Sequence, residues 1–248
     1  MKRALFVITI ALLTSGQGFS RNKVVKSSLS FEGRQITYYL FVPEELDKGT
    51  PAPLVVTLHG SGRNGQSLVD YWKKLAVKNR LIIVGPDSAN RAGWVAPLDG
   101  PDAIAALVDY LTTQHNIDGR RVYLFGHSAG ASFALILSIL EPDYFAATAI
   151  HAGALSDPHG VAPFLALPGR KTPVAIWVGD RDAYFPVPIV EKTREVLKIG
   201  GVDVKLDIMK GHDHWYYQLG EKINENAWEF LSQHQLPGDP AYKKHNFK

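Results

Sequence analysis

Six short apolar segments alternate along this sequence with longer segments in which apolar residues recur at helical spacing. The apolar segments are residues 54–58, 81–84, 122–125, 146–150, 174–178 and 204–208. Segments this short and this apolar are typical of strands covered on both faces, and parallel neighbours need a long, usually helical, crossover between them. The sequence therefore predicts an α/β protein with a doubly wound, mostly parallel sheet and helices on both faces.

The segments around these runs support the same architecture. Apolar side chains share one helical face in residues 68–76 and in residues 104–111, and residues 131–140 are apolar nearly all round, which favours a buried central helix. Upstream of the sheet, a Glu-Gly-Arg turn signal at 32–34 precedes a stretch of β-favouring residues at 36–41. This pattern predicts an N-terminal antiparallel hairpin.

Length and the first residues define the expected organisation of the chain. The 248 residues, 46% of them hydrophobic, suit one core, so a single domain is expected over residues 21–248. Lys2 and Arg3 precede an apolar run at 4–13 and then small, polar residues, which is the layout of a signal peptide at residues 1–20. This run is shorter than the roughly 20 residues that a membrane-spanning helix needs. We therefore expect a secreted or periplasmic protein with no stable membrane insertion after removal of the peptide.

Composition excludes several classes of chemistry. The chain has no cysteine, so disulfides, a thiol nucleophile and thiolate metal sites are excluded. The formal net charge of +3 is small, which argues against a nucleic-acid partner. No metal and no cofactor are expected.

The strongest functional motif is Gly-His-Ser-Ala-Gly at residues 126–130. It stands directly between a predicted strand and the apolar helix, where a serine in a strained turn has its hydroxyl lifted above the sheet. Side chains in place of Gly126 or Gly130 are expected to collide with neighbouring backbone. The motif therefore predicts that Ser128 is a nucleophile.

A serine nucleophile needs a base, and the base needs a carboxylate that orients it. Two carboxylates, Asp180 and Asp182, follow the predicted strand at 174–178, and we prefer Asp182. Two histidines, His212 and His214, follow the last predicted strand, and we prefer His214 because it stands immediately before the closing helix. A metal site at residues 212–214 is disfavoured because no further ligand is evident.

Acyl transfer also needs amide donors aimed at the developing oxyanion. The loop Leu-His-Gly-Ser-Gly at 58–62 follows the first parallel strand. The predicted donors are the backbone N–H groups of Ser61 and of Ala129, the residue after the nucleophile. The chain lacks Gly-x-Lys-Ser/Thr, which excludes a phosphate-binding P-loop.

Taken together, these motifs resemble the esterase family that includes polyhydroxybutyrate depolymerases, feruloyl esterases and acetylxylan esterases. The matching stretches are residues 38–43, 53–60, 117–123 and 213–217, with Asp102 opening a helix. The Gly-x-x-Asp spacing that ends at Asp182 also matches the acid loop of many such hydrolases. The resemblance extends over residues 28–234 and implies the α/β-hydrolase fold.

The resemblance implies a serine esterase that cleaves carboxylic esters through an acyl-enzyme on Ser128. Feruloyl, acetyl or hydroxyalkanoate esters are the expected substrates, as small molecules or attached to polysaccharide. His59 and Gly60 are expected to contact the substrate, with Trp94 and Trp215 as an aromatic platform. The segment between residues 150 and 174 is too short for a large cap, so an open site is expected.

Two other functions compete with ester hydrolysis. A serine peptidase of the prolyl-oligopeptidase type uses the same motifs, although that class usually adds a gating domain. A non-catalytic binding protein on the same scaffold is disfavoured because every expected catalytic position is filled.

Overall fold

The sheet carries the architecture of this protein, of which the computed structural model describes residues 22–47, 49–96 and 98–244. The predicted signal peptide lies outside these residues. The strands are β1 Val25–Phe31, β2 Arg34–Phe41, β3 Ala52–Leu58, β4 Ile82–Pro86, β5 Ile117–His127, β6 Ala147–His151, β7 Val174–Gly179 and β8 Val204–Met209. The helices are α1 Gln66–Asn79, α2 Pro101–Gln114, α3 Ala129–Leu140, α4 Pro158–Leu165, α5 Val187–Ile199 and α6 Tyr216–Leu231.

The strands pair in the order β1-β2-β4-β3-β5-β6-β7-β8. β1 pairs antiparallel with β2, β2 pairs antiparallel with β4, and the remaining neighbours are parallel. Glu32 and Gly33 connect β1 to β2 with φ of 48° and 77°, and two positive φ values suit the twist of a two-residue hairpin loop. The predicted mostly parallel sheet and its N-terminal hairpin are confirmed.

Two apolar cores lie on opposite faces of the sheet. α2, α3, α4 and α5 pack on one face, and α1 and α6 pack on the other. The central strands serve both cores, since Val55 of β3 points to one core while Leu54 and Val56 point to the other. Helices on both faces were predicted from the apolar segments, and this prediction is confirmed.

The prediction of coverage on both faces is wrong for β8. Among the described strands, β8 pairs with β7 alone, and its alternate residues Lys205 and Asp207 are exposed together with Ile208. An edge strand needs only one apolar face, and a lysine on it discourages pairing with another chain. The alternation of charged and apolar residues in β8 was the signal for an edge position.

Parallel strands end at the same edge of the sheet, so the loops after β3, β5, β7 and β8 open toward one another. None of the helices in the described ranges is both long and apolar enough to cross a membrane.

The start of α1 is pressed against β4 through two glycines. A Cβ on Gly65 would lie 1.9 Å from the Gly85 carbonyl oxygen, and a Cβ on Gly85 would lie 2.5 Å from the Gly65 carbonyl oxygen. Real Cβ atoms do not approach backbone this closely, so both positions require glycine as long as the helix stays in place.

We expect Gly85→Ala to lower the free energy of unfolding by about 1–3 kcal/mol or more, because overpacking forces the helix and strand apart. Urea denaturation measures this loss. Gly238→Ala is the control, since a Cβ on Gly238 would meet no atom within 4 Å. Equal stability of Gly85→Ala and the parent protein would contradict the expected strain.

Candidate active site

Ser128 occupies a strained turn between β5 and α3. Its φ of 57° and ψ of −122° lie in a region that residues with a side chain rarely adopt. The two flanking glycines make the turn possible: a Cβ on Gly130 would lie 1.9 Å from the Leu58 carbonyl oxygen, and a Cβ on Gly126 would lie 2.4 Å from that of Gly130. The Ser128 amide donates to the His151 carbonyl at 3.1 Å.

Ser128, His214 and Asp182 form one hydrogen-bonded series. Ser128 Oγ lies 2.9 Å from His214 Nε2, and His214 Nδ1 lies 2.9 Å from Asp182 Oδ2. The side chain of Asp182 is fully buried, and its other oxygen accepts hydrogen bonds from the amides of Tyr184 and Phe185, each at 2.8 Å. A carboxylate fixed in this way favours the tautomer whose Nε2 is free to accept the serine proton.

The structure places the two alternative residues elsewhere. Asp180 is exposed, and its Oδ1 accepts a hydrogen bond from the Gly211 amide at 2.7 Å, which ties the loop after β7 to the loop after β8. His212 directs its Nε2 toward Nε2 of His151 at 3.0 Å. Asp182 and His214, the preferred candidates, are the residues that meet Ser128.

The loop after β3 brings backbone amides to the same point. A Cβ on Gly60 would lie 3.2 Å from the Cβ of Ser128, so the two turns are in close contact. Gly62, with φ of 74°, donates its amide to the Arg91 carbonyl at 2.6 Å, which fixes the course of the loop. Within the described ranges, the amides of Ser61 and Ala129 donate no hydrogen bond. The N–H groups of these two residues are therefore available beside Ser128 to donate hydrogen bonds to a ligand.

Nine residues line the pocket at Ser128. They are Gly60, Ser61, Arg63, His127, Ser128, Tyr184, His214, Trp215 and Tyr217. Gly60 and Trp215 were predicted to contact substrate, and both lie in this lining. Arg63, His127, Tyr184 and Tyr217 were missed, although each stands within three residues of a predicted site residue in the sequence.

His59 and Trp94, also predicted to contact substrate, do not line the pocket, and their side chains brace the loop after β3. His59 is buried; its Nε2 accepts from the Ser88 amide at 3.1 Å and its Nδ1 lies 2.9 Å from the Gly60 carbonyl oxygen. Trp94 donates from its indole nitrogen to the His59 carbonyl at 2.8 Å and stacks on Phe133 with ring centroids 5.1 Å apart. For His59, adjacency to Gly60 in the sequence does not decide where the side chain points, and substrate contact by His59 or Trp94 stays a prediction.

Three buried histidines close to Ser128 in the fold form a second hydrogen-bonded series. His127 Nδ1 lies 3.1 Å from His151 Nδ1, and His151 Nε2 lies 3.0 Å from His212 Nε2. They come from the end of β5, the end of β6 and the loop after β8. The His127 ring also packs beside the His214 ring, with centroids 5.1 Å apart. This contact between His127 and His214 was not predictable from the sequence, since the two residues stand far apart along the chain.

These three histidines are held neutral. Burial lowers the pKa of His127 to about 3, and it lowers the pKa of His151 well below its ordinary value. Burial also lowers the pKa of His212. A neutral imidazole has only one N–H, so His151 donates in one of its hydrogen bonds and accepts in the other.

Within the described ranges, no group of three or more acidic or histidine side chains could hold a metal ion.

The sheet order, the helices on both faces and the strained serine turn after β5 define a protein of the α/β-hydrolase class. The family described as esterase PHB depolymerase has a sequence model that matches residues 36–176, more than half of the chain. The chain belongs to this family, as its sequence motifs predicted.

Individual relatives are similar at modest identity. Poly(3-hydroxyalkanoate) depolymerase C of Paucimonas lemoignei is 33% identical over 125 residues, covering 44% of this chain and 30% of the relative. Feruloyl esterase B of Neurospora crassa is 26% identical over 153 residues, covering 57% of this chain and 52% of the relative. The matches thus span from under a third to about half the length of these two relatives.

A solved structure extends the likeness over most of the fold. The ferulic acid esterase of Anaeromyces mucronatus, solved in complex with ferulic acid, superimposes with a TM-score of 0.69 at 17% identity. The superposition covers 89% of this chain and 93% of that one. At this identity the likeness is one of fold.

The free energy of unfolding is expected to fall as the pH drops from about 6.5 toward about 5. Above the ordinary histidine pKa of about 6.5, both states are neutral and the buried histidines contribute no pH dependence. Below it, the unfolded chain binds protons that the folded state cannot accept, which adds a slope of up to about 1.4 kcal/mol per pH unit for each such histidine. Urea denaturation across this range measures the slope.

His151→Gln should reduce that slope by the contribution of at least one histidine. His159→Gln, a substitution at an exposed histidine, is the matched control. The interpretation would be wrong if His151→Gln and the parent protein showed the same slope.

Proposed function

We propose that this protein is a secreted serine esterase that hydrolyses carboxylic esters through an acyl-enzyme on Ser128. The observation that carries the proposal is the series Ser128, His214 and Asp182, with 2.9 Å at each of its two links. Membership of an esterase family supports the ester bond as the target. A signal peptide at residues 1–20, followed by one catalytic domain over residues 21–248, belongs to the same proposal.

The geometry suits a two-step acyl transfer. Ser128 Oγ attacks the ester carbonyl carbon while its proton passes to His214 Nε2, and Asp182 stabilises the imidazolium. The carbonyl oxygen becomes an oxyanion, which accepts hydrogen bonds from the amides of Ser61 and Ala129. The ester C–O bond then breaks, His214 returns the proton to the leaving alcohol, and the acyl group remains on Ser128. Water, deprotonated by His214, releases the acid in the second step.

The substrates we propose are feruloyl, acetyl or hydroxyalkanoate esters, either small or attached to polysaccharide. Relatives carry the names poly(3-hydroxyalkanoate) depolymerase, feruloyl esterase and acetylxylan esterase. The rings of Tyr184, Trp215 and Tyr217 line the pocket, and such rings stack well on planar phenolic groups and on sugars. Tyr184 and Trp215 expose 69% and 46% of their surface, so the aromatic wall is open to a large substrate.

Peptide hydrolysis of the prolyl-oligopeptidase type is the alternative, since it uses the same nucleophile and base. The family assignment favours esters over peptides. A comparison of methyl ferulate, acetylated xylan and hydroxybutyrate oligomers with aminoacyl-nitroanilides separates the two activities. Cleavage of nitroanilides without turnover of any ester would favour the peptidase.

Substitution of Ser128, His214 or Asp182 should abolish most of the turnover of p-nitrophenyl acetate. We expect Ser128→Ala and His214→Ala to lower kcat by at least about 10³-fold, and Asp182→Asn by about 10⁴-fold, because the imidazole then loses its correct tautomer. Asp180→Asn is the matched control, since Asp180 is exposed and asparagine keeps the oxygen that accepts from Gly211. We expect Asp180→Asn to stay within about twofold of the parent enzyme, in the range of a surface substitution.

A fluorophosphonate probe identifies the nucleophile independently of the substrate. We expect one covalent adduct, on Ser128, and none in Ser128→Ala. Failure of the pure protein to react, or an adduct on another residue, would contradict the proposed acyl-enzyme.

A further inference from the structure

Among the described residues that line the pocket, Arg63 is the one lysine or arginine. Arg63 lies in the loop after β3, two residues beyond Ser61, and its amide donates to the Gly60 carbonyl at 3.2 Å. The backbone of Arg63 is therefore part of the turn that carries an expected oxyanion donor. The side chain lines the same pocket as Ser128.

An aromatic ring holds the guanidinium in place. The Arg63 Cζ atom lies 4.8 Å from the centroid of the Tyr217 ring, within cation–π range. Tyr217 belongs to the first turn of α6, and its hydroxyl lies 3.3 Å from Ser67 Oγ. The contact between Arg63 and Tyr217 joins the loop after β3 to the start of α6 and restricts the positions that the guanidinium can occupy.

The charge of Arg63 has no acidic partner. In the described ranges, Arg63 makes no ion pair and no side-chain hydrogen bond. The pocket lining includes no aspartate or glutamate. Asp182 is the carboxylate behind the lining, and it is fully buried with both oxygens occupied.

Carboxylates on the neighbouring loops are also engaged elsewhere. Asp87 accepts from the Gly65 amide at 2.8 Å, and Asp99 accepts from the amides of Ala89 and Val95. Asp213 accepts from the Trp215 amide at 2.8 Å. Two histidines line the pocket with Arg63, and one of them, His127, is neutral because burial lowers its pKa to about 3. Within the described ranges, Arg63 is thus a cation of the pocket lining that forms no ion pair.

We propose that Arg63 forms an anion-binding subsite, and that the preferred substrates are esters that carry a carboxylate near the scissile bond. A guanidinium binds carboxylates through paired N–H donors in one plane. The contact of Arg63 Cζ with the Tyr217 ring uses none of these donors in a hydrogen bond. The inference rests on the proposed esterase function and adds the substrate class to it.

Matched substrate pairs test the charge separately from size. The first pair compares acetoxybenzoate with acetoxybenzamide, and its carboxylate is on the alcohol side of the ester. The second pair compares monomethyl glutarate with its carboxamide, and its carboxylate is on the acyl side. The ratio of kcat/KM between carboxylate and carboxamide is measured for each pair. We expect a ratio of at least about fivefold for one pair, since an exposed charge-assisted contact gives a modest gain.

Charge substitutions at Arg63 should change this ratio. Arg63→Gln should bring the ratio to about one, Arg63→Glu should invert it, and Arg63→Lys should retain part of it. The change should appear mainly in KM, because the carboxylate takes no part in the bond changes and its contact with Arg63 is made equally in the ground and transition states. Arg91→Gln is the matched control: Arg91 is an exposed arginine on the adjacent loop, outside the pocket lining, and its ratio should stay close to that of the parent enzyme.

The outcomes separate this inference from the function on which it rests. Turnover of the neutral esters with a ratio near one for both pairs would overturn the anion subsite and leave the esterase proposal standing. An equal ratio in Arg63→Gln and Arg91→Gln would also overturn the subsite. Absence of turnover of every ester would overturn the esterase proposal and the subsite together.

Discussion

The contact between the turn after β5 and the end of β3 determines the geometry of the site. Gly130 lies against the Leu58 carbonyl so closely that no side chain fits between them. This approach holds Ser128 in a conformation that it would not adopt alone, and it also places Gly60 against Ser128. Ser128 and the proposed amide donors are thus positioned by one packing contact between two neighbouring strands, and the start of α3 adds its dipole at the same point.

The other half of the site depends on the last two parallel strands. The carboxylate that orients the imidazole follows β7, and the imidazole itself follows β8, so their hydrogen bond depends on how these two strands end. The His127, His151 and His212 series reaches from β5 to the loop after β8 and passes beneath the imidazole. Apolar side chains in these positions could fill the space, but they could not connect three strand ends by directional contacts.

The sequence was most informative where the signal is local. The serine turn has its strand, glycines and helix in one stretch of the chain, and the apolar runs identify the central strands. Contacts between distant segments were not predictable in this way. Arg63 and Tyr217 contact each other although they are far apart in the sequence. His151 belongs to no sequence motif, so its surroundings in the sequence do not show whether the side chain is buried or exposed. His59 is the opposite case, since it stands in a strong motif although its side chain supports the backbone that the motif positions.

The tie between the loops after β7 and β8 has a consequence for how such an enzyme can diversify. Asp180 binds the Gly211 amide, the Arg181 amide donates to the His212 carbonyl at 3.0 Å, and a Cβ on Gly179 would lie 2.1 Å from that same oxygen. An insertion in either loop would shift the partner loop and draw the imidazole away from the serine. Within the described residues, the connection between β6 and β7 makes none of these hydrogen bonds, so a lid acquired there would leave the tie in place while it reshapes substrate access.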